Sequence, residues 1–303
     1  MISELFEMYA NFILLPSLLA AVASGILLDH VEAQSDGLLG ELETRGQEGL
    51  TPSIGERNIL EARDICDKDA KQPAGRHYTL YNNLWNLQPG QKSPQCSNVD
   101  SVNGNVVSWR SKFSWDYGNS QVKSFSSLQY HYPLIELNKI ASMRTTYNWD
   151  MKCSSKVDAS IVYDLFAGPK SRDGKCRRNK TNEIMLWLGQ FGVNKPIAEN
   201  YSPYTAHTKN IAIFGTKNRW DLYKGKNGDT TVHSFVPRDG KGRWLDLKNW
   251  TGNLKPFIEY LYTHGEISGD YCLIESNAGT EPTSGRDCYF KVDRYDLSIE
   301  RKR

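Results

Sequence analysis

The run Glu183-Ile184-Met185-Leu186-Trp187-Leu188-Gly189 reads as a strand whose period-2 alternation puts Glu183, Met185 and Trp187 on one face. Ile184, Leu186 and Leu188 fall on the other, which is wholly apolar and belongs to a core. The first face mixes a carboxylate with a polarisable and an aromatic side chain, as the wall of a sugar cleft does. Taken alone, this strand is read more simply as half solvated, with Glu183 facing water. Two further runs change the balance. In the run 271–282, alternation places Glu275, Asn277 and Glu281 together, with Gly279 leaving room for a close approach. In the run 160–166, Asp164 shares a face with Val162 and Phe166. Carboxylates inside otherwise apolar strands are costly unless solvated or functional. Three such strands imply a carboxylate-lined cleft, which is what acid–base hydrolysis of a glycosidic bond requires. No Gly-x-Ser-x-Gly elbow and no Gly-x-x-x-x-Gly-Lys phosphate loop occurs, so serine hydrolase and nucleotide hydrolase chemistry fall away.

These residues must be positioned by an all-β scaffold. β-rich or alternating runs recur at 77–85, 105–115, 124–132, 142–151, 156–166, 183–191, 219–225, 230–237, 271–279 and 289–299. Breakers lie between them: Gly90, Gly104, Gly118, Gly174 and the pair Asn227-Gly228, which reads as a two-residue hairpin turn. Many strands at this spacing indicate a sandwich or barrel. One segment differs: Leu254, Phe257, Ile258, Leu261 and Tyr262 form a helical stripe, with Thr251 or Asn253 to cap its start and Gly265 its end. The expected architecture is one antiparallel sandwich carrying a single helix.

The N-terminal run Phe12 to Leu28 is apolar and passes through Ala21-Val22-Ala23, like a secretory core region and cleavage site, although Glu4 and Glu7 stand where positive charge is usual. It is read as a signal peptide over 1–25, with an uncleaved anchor or an upstream start as alternatives. Residues 26–63 are acidic and aperiodic and read as linker or pro-segment; the folded domain is placed at 64–303. Net charge of +2 gives no argument for nucleic acid or an anionic membrane as partner. The 16 Tyr and 8 Trp suit strands first, and a few of them suit stacking on sugars. Six cysteines show no metal-ligand spacing, so no metal and no cofactor are expected, and an even count favours disulfides. Sequons at Asn179, Asn200 and Asn249 permit secretion.

In order along the chain, LYNNLW, YDLF, NEIMLWLG, KNGDTTVHSFV, NLKPFIEYL and AGTEP resemble glycoside hydrolase family 12, over Cys66 to Ile299. That family holds fungal and bacterial endo-β-1,4-glucanases and xyloglucan-specific endoglucanases. The resemblance implies a β-jelly-roll of two curved antiparallel sheets with an open cleft. It implies a retaining mechanism, with carboxyls about 5–5.5 Å apart. Glu183 is then the nucleophile, Glu281 the general acid/base, and Asp164 the carboxyl beside the nucleophile, protonated or sharing its proton. Asn83 and Trp85 would line the glycone side, sharing strand parity, and Met185 would lie under the sugar. Trp187, Glu275, Asn277 and Pro196 complete the expected substrate-binding set. The implied protein is secreted, monomeric and not membrane-bound after cleavage, with a β-glucan polysaccharide as its partner. A Cys66–Cys96 bridge is also implied, since both cysteines bracket the first hairpin.

Strand geometry bears on the other four cysteines. Cys153 and Cys176 flank the strand 157–166, whose ends stand roughly 30 Å apart, whereas disulfide Cα atoms lie within about 7 Å. A strand leading away from Cys272 before a turn near Pro282 weakens Cys272–Cys288 in the same way. Bridges joining Cys153 or Cys176 to Cys272 or Cys288, or free thiols, are expected instead. Two departures from the family stand out. Asp69 replaces a Trp often found three residues after the first Cys, and Thr283 replaces the aromatic after Gly-Thr-Glu-Pro. The basic cluster Arg172, Lys175, Arg177, Arg178 and Lys180 reads as a solvated hairpin turn, with attraction to anionic pectin as the alternative. Three functions remain open: an endoglucanase favouring xyloglucan, one favouring unbranched cellulose or mixed-linkage glucan, and a weakened sugar-binding protein on the same scaffold.

Overall fold

The computed structural model describes residues 64–116 and 121–303; the expected signal and linker segments and the Gly118 turn lie outside the described residues. The strands are β1 (Lys71–Ala74), β2 (Tyr78–Tyr81), β3 (Gln95–Asn103), β4 (Val106–Trp115), β5 (Ser126–Tyr130), β6 (Ile135–Glu136) and β7 (Ile140–Lys152). They continue with β8 (Val157–Gly168), β9 (Asn182–Phe191), β10 (Thr208–Ala212), β11 (Arg219–Asn227), β12 (Thr230–Arg238), β13 (Asn249–Asn253) and β14 (Cys272–Arg301), with the helix α1 (Lys255–Thr263) before β14.

Two layers share β14. One runs β1-β2-β5-β14-β8-β9-β12-β11-β10; in the other β4 and β7 flank β14, with β3 outside β4 and β13 outside β7. Residues 272–282 of β14 serve the first layer, against β5, β6 and β8, and residues 288–301 serve the second. The expected turn near Pro282 is therefore absent: the strand continues without a break. Register shifts after Pro282 and Gly285 bend it between the layers, as bulges do. The expectation of purely antiparallel sheets also needs correction, because β9 and β12 pair in parallel.

Period-2 alternation fills the space between the layers. Ile184, Leu186 and Leu188 of β9 and Tyr163 and Leu165 of β8 meet Tyr147, Phe290, Tyr295 and Leu297 from the facing layer. Tyr147 touches both Tyr163 and Tyr295 edge to face, at 5.3 and 5.6 Å. The opposite face of the first layer carries a smaller cluster that includes Val162, Met185, Trp187, Tyr223 and Val232. The jelly-roll thus has one dry interior and one working face.

The helix closes the core beside β11 and β12. Leu254, Phe257, Ile258 and Leu261 are buried, and Phe257 meets Trp220 edge to face at 4.7 Å and Phe235 at 5.2 Å. Leu254 occupies the N-cap, in place of the expected Thr251 or Asn253, but the Asn253 Oδ1 still accepts the Lys255 N–H at 3.1 Å. Gly265 follows the helix with a φ of +77°, the left-handed geometry that ends helices. Phe257→Ala would empty this junction. It is expected to cost about 3–5 kcal/mol, read from the midpoint of denaturant unfolding.

The β11–β12 hairpin is offset by one residue from the sequence reading. Asn227 pairs with Thr230, so the two-residue loop is Gly228-Asp229, with a φ of +57° at Gly228. Disulfides join Cys66 to Cys96, Cys153 to Cys288 and Cys176 to Cys272. The last two link the middle of the chain to β14, and neither Cys153–Cys176 nor Cys272–Cys288 is bonded.

Candidate active site

The working face of the first layer is built in rows across β14, β8 and β9. Glu275, Phe166 and Glu183 form one row, since Phe166 pairs with both carboxylate-bearing residues. Asn277, Asp164 and Met185 form the next, extended by Gln129 of β5. Further along, Glu281 pairs with Ser160, whose hydroxyl donates to the Glu281 Oε2 at 3.0 Å. Gly279 lies between these rows because a Cβ there would stand 2.1 Å from the Ser126 carbonyl oxygen of β5. The absent side chain lets β5 and β14 close.

An open cavity of about 410 Å³ lies over these rows. Asp164, Glu183, Glu275, Asn277 and Glu281 line it together with Asn83 and Trp85. Asn83 and Trp85 come from the turn after β2 and not from a strand, so the parity argument does not apply to them. They are placed instead by buried neighbours. The Asn82 amide donates to the Asp67 and Gln95 carbonyls, Leu84 is fully buried, and the Asn83 carbonyl accepts the Phe125 N–H at 3.0 Å. Trp85 is left 52% exposed, a free aromatic face at the cavity wall. Three members of the expected set do not line the cavity. Met185 and Trp187 are buried in the smaller cluster, and Pro196 is buried with its carbonyl taken by the Tyr204 hydroxyl at 2.8 Å.

Electrostatics single out three carboxyls. Burial pushes Asp164 well above the usual carboxylate range, and the charges of Glu183 and Glu281 push it further. Glu183 rises to about 8, through burial first and then the Glu281 charge, with the Lys180 ammonium acting against both. Glu281 rises to about 7 through burial, opposed by the Ser160 hydrogen bond. Like charges in low dielectric resist ionising together, so the cluster retains protons near neutrality. The Asp164 Oδ1 is buried without a hydrogen-bond partner among the described residues.

Sequence reasoning missed Tyr81, Phe125, Ser127, Gln129, Phe166, Lys180 and Asn227 as cavity residues. Lys180 is the most consequential, because from sequence the cluster holding it reads as a solvated turn. Its Nζ lies 2.7 Å from the Glu275 Oε2 and 4.3 Å from the centre of the Phe166 ring. Arg177 behaves as that reading has it, paired at the surface with Asp173. The two family departures also find places. Asp69 is exposed in a turn, and Thr283 is buried, donating within reach of the Asp158 carbonyl at 3.2 Å and the Asn194 Oδ1 at 3.0 Å. Through the Asn194 contact, Thr283 fastens the loop after β9 beside Glu281.

Residues 76–300 match glycosyl hydrolase family 12. A probable xyloglucan-specific endo-β-1,4-glucanase A of Aspergillus niger is 34% identical, over 80% of this chain and 93% of its own length. The xyloglucan-specific endo-β-1,4-glucanase A of Aspergillus aculeatus is 36% identical, over 78% of this chain and 91% of its own. Among solved structures, Trichoderma harzianum endoglucanase 3 superposes with a TM-score of 0.67 at 30% identity, covering 80% of this chain and 99% of that one.

Proposed function

The chain belongs to glycosyl hydrolase family 12 and is a glycoside hydrolase, and from that premise we propose that it is a retaining endo-β-1,4-glucanase acting on xyloglucan. The observation that carries this reading is the meeting of Glu183, Glu281 and Asp164 in one open cavity, each with its proton affinity raised. In the first step the Glu183 carboxylate attacks the anomeric carbon while Glu281 gives its proton to the departing glycosidic oxygen. The aglycone leaves and a glycosyl ester on Glu183 remains. In the second step Glu281, now a carboxylate, takes a proton from water as that water attacks the same carbon and frees Glu183. Two displacements restore the starting configuration. Asp164 holds a proton beside the nucleophile and limits the charge gathered there.

Trp85 offers an exposed ring for a glucosyl unit to stack on, and Asn83 and Asn277 offer amides for its hydroxyls. The curated relatives named above as xyloglucan-specific support that substrate over unbranched glucan. The retained carboxylates speak against a purely sugar-binding protein. Three disulfides suit an oxidising, extracellular setting. No helix among the described residues is long and apolar enough to cross a membrane. The enzyme in this proposal works as a secreted monomer.

The test is hydrolysis of tamarind xyloglucan, carboxymethylcellulose and barley mixed-linkage glucan side by side, with the anomer of the fresh product followed by proton NMR. Xyloglucan is expected to be cleaved fastest, with β product forming first. Faster cleavage of either unbranched glucan would reassign the substrate, and α product would exclude the two-step mechanism.

A further inference from the structure

The nucleophile faces an electrostatic difficulty that its own strand does not solve. Glu183 must be charged while Glu281 keeps the proton, yet burial raises the proton affinity of both carboxyls and the Glu281 charge raises that of Glu183 further. The groups facing it are Asp164 from β8, Glu275 and Glu281 from β14, and Lys180 from the loop before β9. Neighbouring β12 presents Val232 to this face, while His233 turns to the other side, towards Glu266. Arg178 lies 4.0 Å from Glu275. Of these groups, Lys180 supplies the positive charge that acts on Glu183.

Its placement is fixed from several directions. Cys176, four residues earlier, is bonded to Cys272 at the start of β14. Cys272 pairs with Gly168 of β8, and Gly168 has no side chain because a Cβ there would stand 1.7 Å from the Asn179 carbonyl oxygen. The Thr181 N–H then donates to the Ala167 carbonyl at 3.0 Å. Between these anchors the Lys180 ammonium lies over Phe166, the middle residue of the row whose two ends are Glu275 and Glu183. Glu275 holds it at 2.7 Å. A cation centred on that row favours the anion at its far end.

We propose that Lys180 is a positioning residue for Glu183: its ammonium, held over Phe166 by Glu275 and by the loop tied at Cys176, keeps the nucleophile charged while Glu281 holds the proton. This rests on Glu183 being the nucleophile. It also gives the Cys176–Cys272 bond and the bare Gly168 one shared purpose, the placing of a single charge.

The experiment is the pH profile of kcat/KM on xyloglucan for the wild type, Lys180→Met and Lys180→Arg, with Glu183→Gln as a separate control. Well below the optimum both carboxyls are protonated, and the productive fraction depends on the acidity of Glu183 alone. Lys180→Met is expected to lower kcat/KM there by about tenfold, one unit of proton affinity. Well above the optimum the productive fraction depends on Glu281, so little or no loss is expected. Lys180→Arg keeps the charge and is expected to restore the acid side. A loss equal at all pH values, or none on the acid side, would overturn the proposal. Retained activity in Glu183→Gln would overturn the nucleophile assignment instead. Lys180 is partly exposed, with 38% of its side chain accessible, so replacing it leaves no cavity in the core.

Discussion

Glu183→Gln is expected to lower kcat on xyloglucan by at least about 10³-fold while leaving substrate affinity nearly unchanged. The amide matches the carboxylate in shape and still fills its place between Phe166 and Val232. It cannot form the glycosyl ester. The same substitution carries a signature in stability. The Glu183 carboxyl binds its proton more tightly in the folded protein, up to about 8 against an ordinary 4.5. Between those values the folded state holds more protons than the unfolded one, so the wild type loses stability as pH rises through that window. The glutamine variant lacks this contribution. Its melting temperature is expected to exceed that of the wild type at pH 8 and to converge with it at pH 4. Activity within tenfold of wild type would remove Glu183 from the nucleophile's role, whatever the melting curves show.

Glu281→Ala is expected to lower kcat/KM on polysaccharide by about 10²–10⁴-fold, because the departing sugar oxygen then leaves without a proton. An aryl cellobioside with an acidic phenol needs no such help, so its first step is expected to be nearly as fast as in the wild type. The glycosyl ester then accumulates, since no base remains to activate water, and a burst of phenol precedes a slow steady state. Added azide, which attacks without losing a proton, is expected to speed the steady state and yield a β-glycosyl azide. Equal losses on both substrates with no response to azide would show that Glu281 is not the acid/base.

Legibility in the sequence followed periodicity. β9 reads correctly because alternation separates Ile184, Leu186 and Leu188 from Glu183, and the structure buries the first three in the interior. The same logic finds Asp164, Glu275, Asn277 and Glu281 along β8 and β14, and all four reach the cavity. Helix α1 is plain from its stripe. Short or irregular strands are not: β1 contains a proline, β6 has two residues, and β10 is interrupted by a register shift after Thr208. None presents enough alternation to be seen. The continuity of β14 is hidden for a different reason, because Pro282 and Gly285 look like a turn locally and only their long-range partners show a bend. Met185 and Trp187 share the parity of Glu183 yet lie deeper, since parity gives the face of a sheet and not what covers it. Lys180 sits in an aperiodic, basic loop. Its importance depends on a row of cross-strand partners, and register is not written in any one segment.

Strand β14 also governs the order in which the molecule can be made. It runs for 30 residues and supplies the central partner for strands in both layers. Until it docks, β5 and β8 have no common neighbour and neither have β4 and β7, so the inner faces of two half-sheets stay open to water. Its contacts reach far back along the chain. The Leu297 N–H donates to the Tyr78 hydroxyl across 219 residues, and Cys288 bonds to Cys153 across 135. Closing loops of that size before any reward is slow, and chains dominated by such pairings fold in milliseconds to seconds, not microseconds. Collapse therefore waits on one strand, and the interval before it docks is when the exposed edges of β4, β5, β7 and β8 are open to pairing with other chains.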